Sequence, residues 1–176
     1  MASPKPRAQR IAQGLALAAG AVALELLVAR GSAPFYWTPL MIGIAYLAAA
    51  VLGGREGGHW ATATVLCGWG LAVVWAGSSG PDLDTAGLYL AGAGAGASVG
   101  LVLRRAGFEV DALGATVTVA AAGVVLALSP QASALVDART YAVAVGVVAL
   151  VNLVLGVQAE RSPGEPRGGA VGPGQA

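Results

Sequence analysis

Charge is what this chain has least of. Asp, Glu, Lys and Arg make up 11% of its 176 residues, against about 25% in an average soluble protein. Hydrophobic residues make up 56%. So little charge cannot cover a globule with a solvated surface, which excludes an ordinary water-soluble domain and makes lipid the expected solvent. A cytosolic helical bundle would need charged helix faces, and the apolar runs here have none. Cysteine is as scarce. Cys67 stands alone and cannot form an internal disulfide, and one Cys with one His, His59, cannot build a zinc or haem site. No metal and no soluble cofactor is therefore expected. Cys67 lies in an apolar run, where a small buried hydrophobe fits and a thiolate does not. Lysine is limited to Lys5, the other basic residues being arginines. With the heavy use of Ala, Gly and Val this suggests a GC-rich bacterial genome. The basic residues are too sparse for nucleic-acid binding; they suit anionic lipid headgroups.

Glycine and long apolar runs are what the chain has in quantity. The run Gly92-Ala93-Gly94-Ala95-Gly96-Ala97-Ser98-Val99-Gly100 carries no charge. Gly92, Gly96 and Gly100 recur every four residues, so on a helix they form one bare face. In water each glycine costs about 1 kcal/mol relative to alanine. In a bilayer the backbone must still satisfy its own hydrogen bonds, and a bare face lets a second helix approach closely. Packing against another span of the same chain is the expected use, and a homo-oligomer through Gly92, Gly96 and Gly100 is the alternative. A phosphate loop is excluded, since no strand precedes these glycines and no Lys-Ser/Thr follows.

Six apolar spans are expected, at 11–28, 38–52, 60–76, 86–103, 112–128 and 141–157. Most are about 17–18 residues, near the lower limit for crossing ~30 Å of hydrocarbon. The expected fold is thus all-α, a polytopic transmembrane bundle occupying 11–157. A basic segment, 1–10, precedes it and a disordered tail rich in Pro and Gly, 158–176, follows. A signal peptide is the competing reading of the first run. Its apolar core is too long and holds a Glu, so a retained span is expected. Phe35-Tyr36-Trp37 is an aromatic trio of the headgroup region. Thr38 with Pro39 reads as a cap and first turn, and Asp84 or Thr85 as the cap of the fourth span. Ser129-Pro130 could start a short interfacial turn. Spans three and five share Ala-Thr-x-Thr-Val, at 61–65 and 115–119, a weak hint of internal duplication.

Threading follows from the arginines. With the N-terminus inside, Lys5, Arg7, Arg10, Arg55, Arg104, Arg105, Arg161 and Arg167 face the cytoplasm, and Arg30 and Arg139 the outside. That bias predicts an N-in, C-in protein of the cytoplasmic membrane.

Few residues could carry chemistry. Glu25 falls about four residues inside the outer end of span one, about 6 Å along the helix. A carboxylate within a span is costly and is a functional candidate, suited to proton or cation coupling. The plainer reading has it reach the interface or pair with Arg30. Asn152 in span six should seek a partner helix and act as packing glue. Thr62, Thr64, Thr116 and Thr118 can bond back to their own helices. His59 could serve as an acid or base with Glu56, Glu109 or Asp111 on the same side, but no nucleophile or oxyanion motif accompanies them. Asp82, Asp84 and Asp137 fall on the opposite side. The expected function is a non-enzymatic packing, accessory or oligomeric membrane component. The alternative is a small proton- or cation-coupled transporter or channel using Glu25.

Overall fold

Apolar runs bounded by glycine, proline and short polar turns form helices throughout residues 7–80, 84–128 and 137–158, the part of the chain that the structure, a computed structural model, describes. The elements are α1 (Arg7–Leu24), a π-helical turn (Glu25–Ala29), a 3-10 turn (Phe35–Trp37), α2 (Thr38–Leu52), α3 (Trp60–Ser79), α4 (Thr85–Arg105), α5 (Ala112–Leu128) and α6 (Ala138–Gln158). The fold is a helical bundle. Five of its segments are long and apolar enough to cross a bilayer, as in a multi-pass membrane protein, and α5 is shorter.

Most of the expected spans match these helices closely, and the differences have local causes. The first helix starts at Arg7 and leaves α geometry at Glu25. Asp84 caps α4, its carboxylate accepting from the Gly87 N–H at 2.6 Å. Thr38 does not cap α2: Trp37 is the cap residue, no side chain bonds there, and Thr38 is already helical. α3 runs on to Ser79, where Gly80 adopts φ 51° and closes it in the left-handed conformation that glycine tolerates. Residues 1–6, Asp82 with its neighbours 81 and 83, residues 129–136 with the turn expected at Ser129-Pro130, and the tail from 159 lie outside the described residues.

Packing is inside-out by the standard of a soluble protein. The buried positions are mostly small, among them Ala45, Ala49, Ala50, Ala61 and Ala63. Large aliphatics point outward, with Leu90 and Leu113 each 71% exposed and Val143 66%. In water that arrangement would forfeit about 1.5–3 kcal/mol for each such side chain; against lipid tails it costs nothing, and small residues let helices approach.

α6 packs on α1, α1 on α2, α2 on α3 and α3 on α4, while α5 rests on a further face of α3. Leu17, Ala45, Ala49, Val145 and Ala149 form the core where α1, α2 and α6 meet. The α3–α4 seam is the closest. A Cβ placed on Gly92 would lie 2.7 Å from the Gly68 carbonyl oxygen, and one on Gly96 would lie 2.9 Å from Val65 Cα. Gly100 faces the Thr64 hydroxyl.

One end of the bundle carries the start of α1, Arg55 and Arg104-Arg105, and its loops are knitted together. Gln13 is 1% exposed. Its Nε2 donates to the Ala49 carbonyl at 3.2 Å and to the Gly57 carbonyl at 2.8 Å, and Gln9 donates to the Gly53 carbonyl. Trp60 Nε1 donates to the Gly54 carbonyl at 2.9 Å, and its ring meets Phe108 edge-on at 4.9 Å. Arg55 lies over that same Phe108 ring, 5.4 Å from its centroid.

Candidate functional site: an apolar cavity among four helices

A cavity of ≈ 560 Å³, partly open to the surroundings, lies between α2, α3, α5 and α6. Its size is within the usual range of ligand pockets, about 300–1,000 Å³. Small residues set its walls. Gly70 of α3 lets Leu40 come in, and Gly43 of α2 lets Cys67 come in, so these two helices are drawn close. α5 touches α3 near the arginine end, where the Thr118 hydroxyl lies 3.3 Å from that of Thr62. α6 is held on the other side by α1. The space left between α5 and α6 is the cavity.

Tyr46, Thr62 and Thr118 line it near the arginine end, and Leu66, Val117 and Val148 line its middle. Phe35, Tyr36 and Tyr141 line the far end, the Phe35 and Tyr141 rings standing 6.2 Å apart. Thr38 and Trp69 also line it, and both bring a buried polar atom without a hydrogen-bond partner among the described residues, Thr38 Oγ1 and Trp69 Nε1. The lining is mostly apolar, and these two polar atoms are buried in the wall rather than open to the space.

A second, smaller cleft of ≈ 240 Å³ lies at the arginine end, lined by Arg10, Gln13, Gly57, His59 and Asn152 among others. His59 lies edge-on to the Tyr46 ring at 5.8 Å, on the wall that separates the two spaces.

The residues singled out in the sequence do not meet at one place. Glu25 opens the π-helical turn at the end opposite the arginine cluster. It forms an ion pair with Arg139 at the start of α6, at 3.6 Å, rather than with Arg30. The pair is half open, with side chains 36% and 64% exposed, and neither residue lines the cavity. Gly92, Gly96 and Gly100 are occupied by α3 of the same chain, so a second copy seated on that face would have to displace α3. Asn152 does not bond across to another helix. Its amide donates to the Val148 carbonyl of its own helix at 2.9 Å, the solution open to any polar side chain one turn along. Thr64, Thr116 and Thr118 likewise donate to Ala61, Ala112 and Gly114 carbonyls. Asp111 caps α5, accepting from the N–H groups of Leu113 and Gly114. Among the described residues no three His, Cys, Asp or Glu converge as a metal site would require.

Sequence reasoning missed Trp69, Thr38 and Gln13. Trp69 and Gln13 were visible as polar-capable groups in apolar runs, but nothing in their spacing told which neighbour they would face. No family model, curated protein or solved structure matches the chain.

Proposed function

We propose that this protein is a non-enzymatic component of the cytoplasmic membrane, with six spans threaded N-in, C-in, that works by holding an apolar guest from the membrane between α2, α3, α5 and α6. The observation that carries this reading is the cavity itself, lined by aliphatic side chains and aromatic rings and bounded by a helix, α5, that packs chiefly on α3. The uneven placement of arginine supports the threading. A homo-oligomer fits this reading through a surface other than the α4 glycine face.

The test is photolabelling in nanodiscs with a hydrocarbon that carries a diazirine. Label should fall on the cavity-facing residues of α5 and α6, and Ala121→Trp, which fills the space, should suppress it. Labelling spread evenly over all lipid-facing helices, unaltered by Ala121→Trp, refutes the reading.

The alternative is a proton- or cation-coupled transporter using Glu25. One observation favours it: the helix turns π at Glu25, and single π turns are frequent at functional sites. It requires a proton- or cation-dependent flux in proteoliposomes that Glu25→Gln abolishes.

A further inference from the structure

The cleft at the arginine end is chemically unlike the apolar cavity. Three parts of the chain meet there: the start of α1 through Arg10, the α2–α3 turn through Gly58 and His59, and the last turns of α6 through Asn152 and Leu155. The backbone fixes where Arg10 stands. Gly156 of α6 is buried against it, and a Cβ on that glycine would lie 3.4 Å from Arg10 Cβ. The Arg10 side chain therefore leaves from the α1–α6 seam and is half-buried, whereas Arg104 and Arg105 are exposed.

Arg10 has no partner to match. Among the described residues it makes neither an ion pair nor a hydrogen bond, and none of those lining the cleft is acidic. A guanidinium carries five N–H donors and keeps its charge, and burying a charge is costly unless it is paired. A second donor shares the space. Asn152 spends one amide N–H on the Val148 carbonyl, and an amide has two. Gln13, by contrast, is committed to the Ala49 and Gly57 carbonyls. α3 also starts beside the cleft, and its cap residue, His59, gives the first turn no side-chain bond, so the positive end of that helix adds to the same field. A space of this make-up takes an oxygen-rich anion.

Depth and rim narrow the choice of anion. Asn152 lies six residues before the end of α6 at Gln158, about 9 Å along the axis. Leu155 on the rim is 44% exposed, and Val151 and Val154 beside it on α6 are exposed as well. The cleft thus sits just inside the polar boundary with hydrocarbon on one side, the depth of a lipid phosphate. A free phosphate gains nothing from that apolar rim. A headgroup cation such as choline would be repelled by Arg10.

We propose that the cleft binds the phosphodiester of an anionic phospholipid, with Arg10 as its ion-pair partner, Asn152 as a second donor and the acyl chains on the exposed apolar face of α6. Occupancy there does not depend on what fills the apolar cavity. The test is native mass spectrometry of the full chain in detergent, with phosphatidylglycerol, phosphatidylcholine or inorganic phosphate added in turn. A single phosphatidylglycerol should stay bound. Arg10→Gln should weaken its retention at least about tenfold, the least worth of a hydrogen bond to a charged group, and should leave the unfolding midpoint in lipid-free detergent unchanged. Arg10→Lys, which keeps the charge, should restore part of the retention. Asn152→Leu should weaken it about fivefold, the worth of one neutral hydrogen bond, and Arg104→Gln with Arg105→Gln should not weaken it. Phosphatidylcholine retained as strongly overturns the anionic assignment, and inorganic phosphate bound as strongly overturns the lipid one. Equal losses from Arg10→Gln and from the Arg104, Arg105 pair mean diffuse attraction and overturn the site. An Arg10→Gln protein that unfolds earlier without lipid overturns it too, since Arg10 is then structural. So does retention that appears only after Glu160→Gln, because the chain's own tail would then fill the cleft.

Discussion

Replacing Gly96 with alanine adds one carbon to the tightest seam in the bundle. That carbon would lie 2.9 Å from both the Thr64 carbonyl carbon and Val65 Cα, with the Thr64 oxygen nearer still. Ordinary contact begins at 3.4 Å, so α3 and α4 must separate by at least about 0.5 Å. The obstacles are backbone atoms and cannot swing aside as a side chain would. A gap of about 0.5–1 Å forfeits a quarter to a half of each van der Waals contact, and here the loss extends along Gly68, Ala72, Gly92 and Gly100. Overpacking costs about 1–3 kcal/mol, and a backbone clash belongs at the upper end. Against this, alanine gains about 1 kcal/mol of helix propensity over glycine. The net loss is about 2 kcal/mol, equivalent to a fall of about 4–8 °C in unfolding midpoint for a chain of this size. Gly94→Ala is the control, since a Cβ there meets nothing within 4 Å, and it should leave the midpoint unchanged or slightly raised. Thermal unfolding in detergent compares the two. If Gly96→Ala and Gly94→Ala unfold at the same temperature, α4 does not use its glycines to approach α3.

Gln13→Leu should destabilise by about 1–3 kcal/mol, because the buried Gly57 carbonyl loses the Gln13 donor, while the Ala49 carbonyl keeps only the Gly53 N–H; hydrogen exchange should quicken in residues 53–58, and unchanged protection there would count against the staple. Glu25→Gln should change stability by less than about 1 kcal/mol, as its pair with Arg139 is half open; a larger loss in chemical unfolding would mean the carboxylate is doing more than that pair shows. The proposed threading predicts that, in a Cys67→Ser background, Ser32→Cys reacts with a membrane-impermeant maleimide added to intact cells and Glu56→Cys does not. The reverse pattern would invert the topology.

Much of the fold was legible because bilayer solvation is a coarse, strong signal. Runs without charge, ended by Arg104-Arg105 or by the Gly53-Gly54 turn, give helices whose ends need only caps, and α2 and α5 fall where the composition puts them. The glycine face of α4 was legible for the same reason, since a period of four needs no partner to be recognised. Its complement was not: Gly68 matters because it lies against Gly92 and Gly96, and only the register of α3 on α4 reveals that. The site was harder still. Glu25 stands out in sequence because its burial would be costly, yet it reaches an exposed partner, Arg139, more than a hundred residues away. Trp69 and Thr38 look ordinary in sequence, one an aromatic in a span and the other a helix cap. That each carries a buried polar atom with no hydrogen-bond partner among the described residues is a tertiary fact.

The cavity itself has a sequence cause that becomes apparent only beside the packing. Apart from Leu113, the described side chains of α5 are no larger than valine, and its cavity face is built from Gly114, Val117, Thr118, Ala121 and Ala122. Those side chains are too short to reach α6. In water the hydrophobic effect would pull α5 and α6 together until the gap closed. In lipid that force is absent, because chains fill the gap as well as protein does. A helix made of small apolar residues, fastened on one side through Thr62 and Thr118, therefore stands off from its neighbour and leaves a space of molecular size. Enlarging α5 should close it: Ala121→Leu with Ala122→Leu ought to draw α6 onto α5 and raise stability by filling the void, at the expense of any guest. If the double variant instead lowers the unfolding midpoint while guest binding persists, the space is held open by something other than the shortness of these side chains.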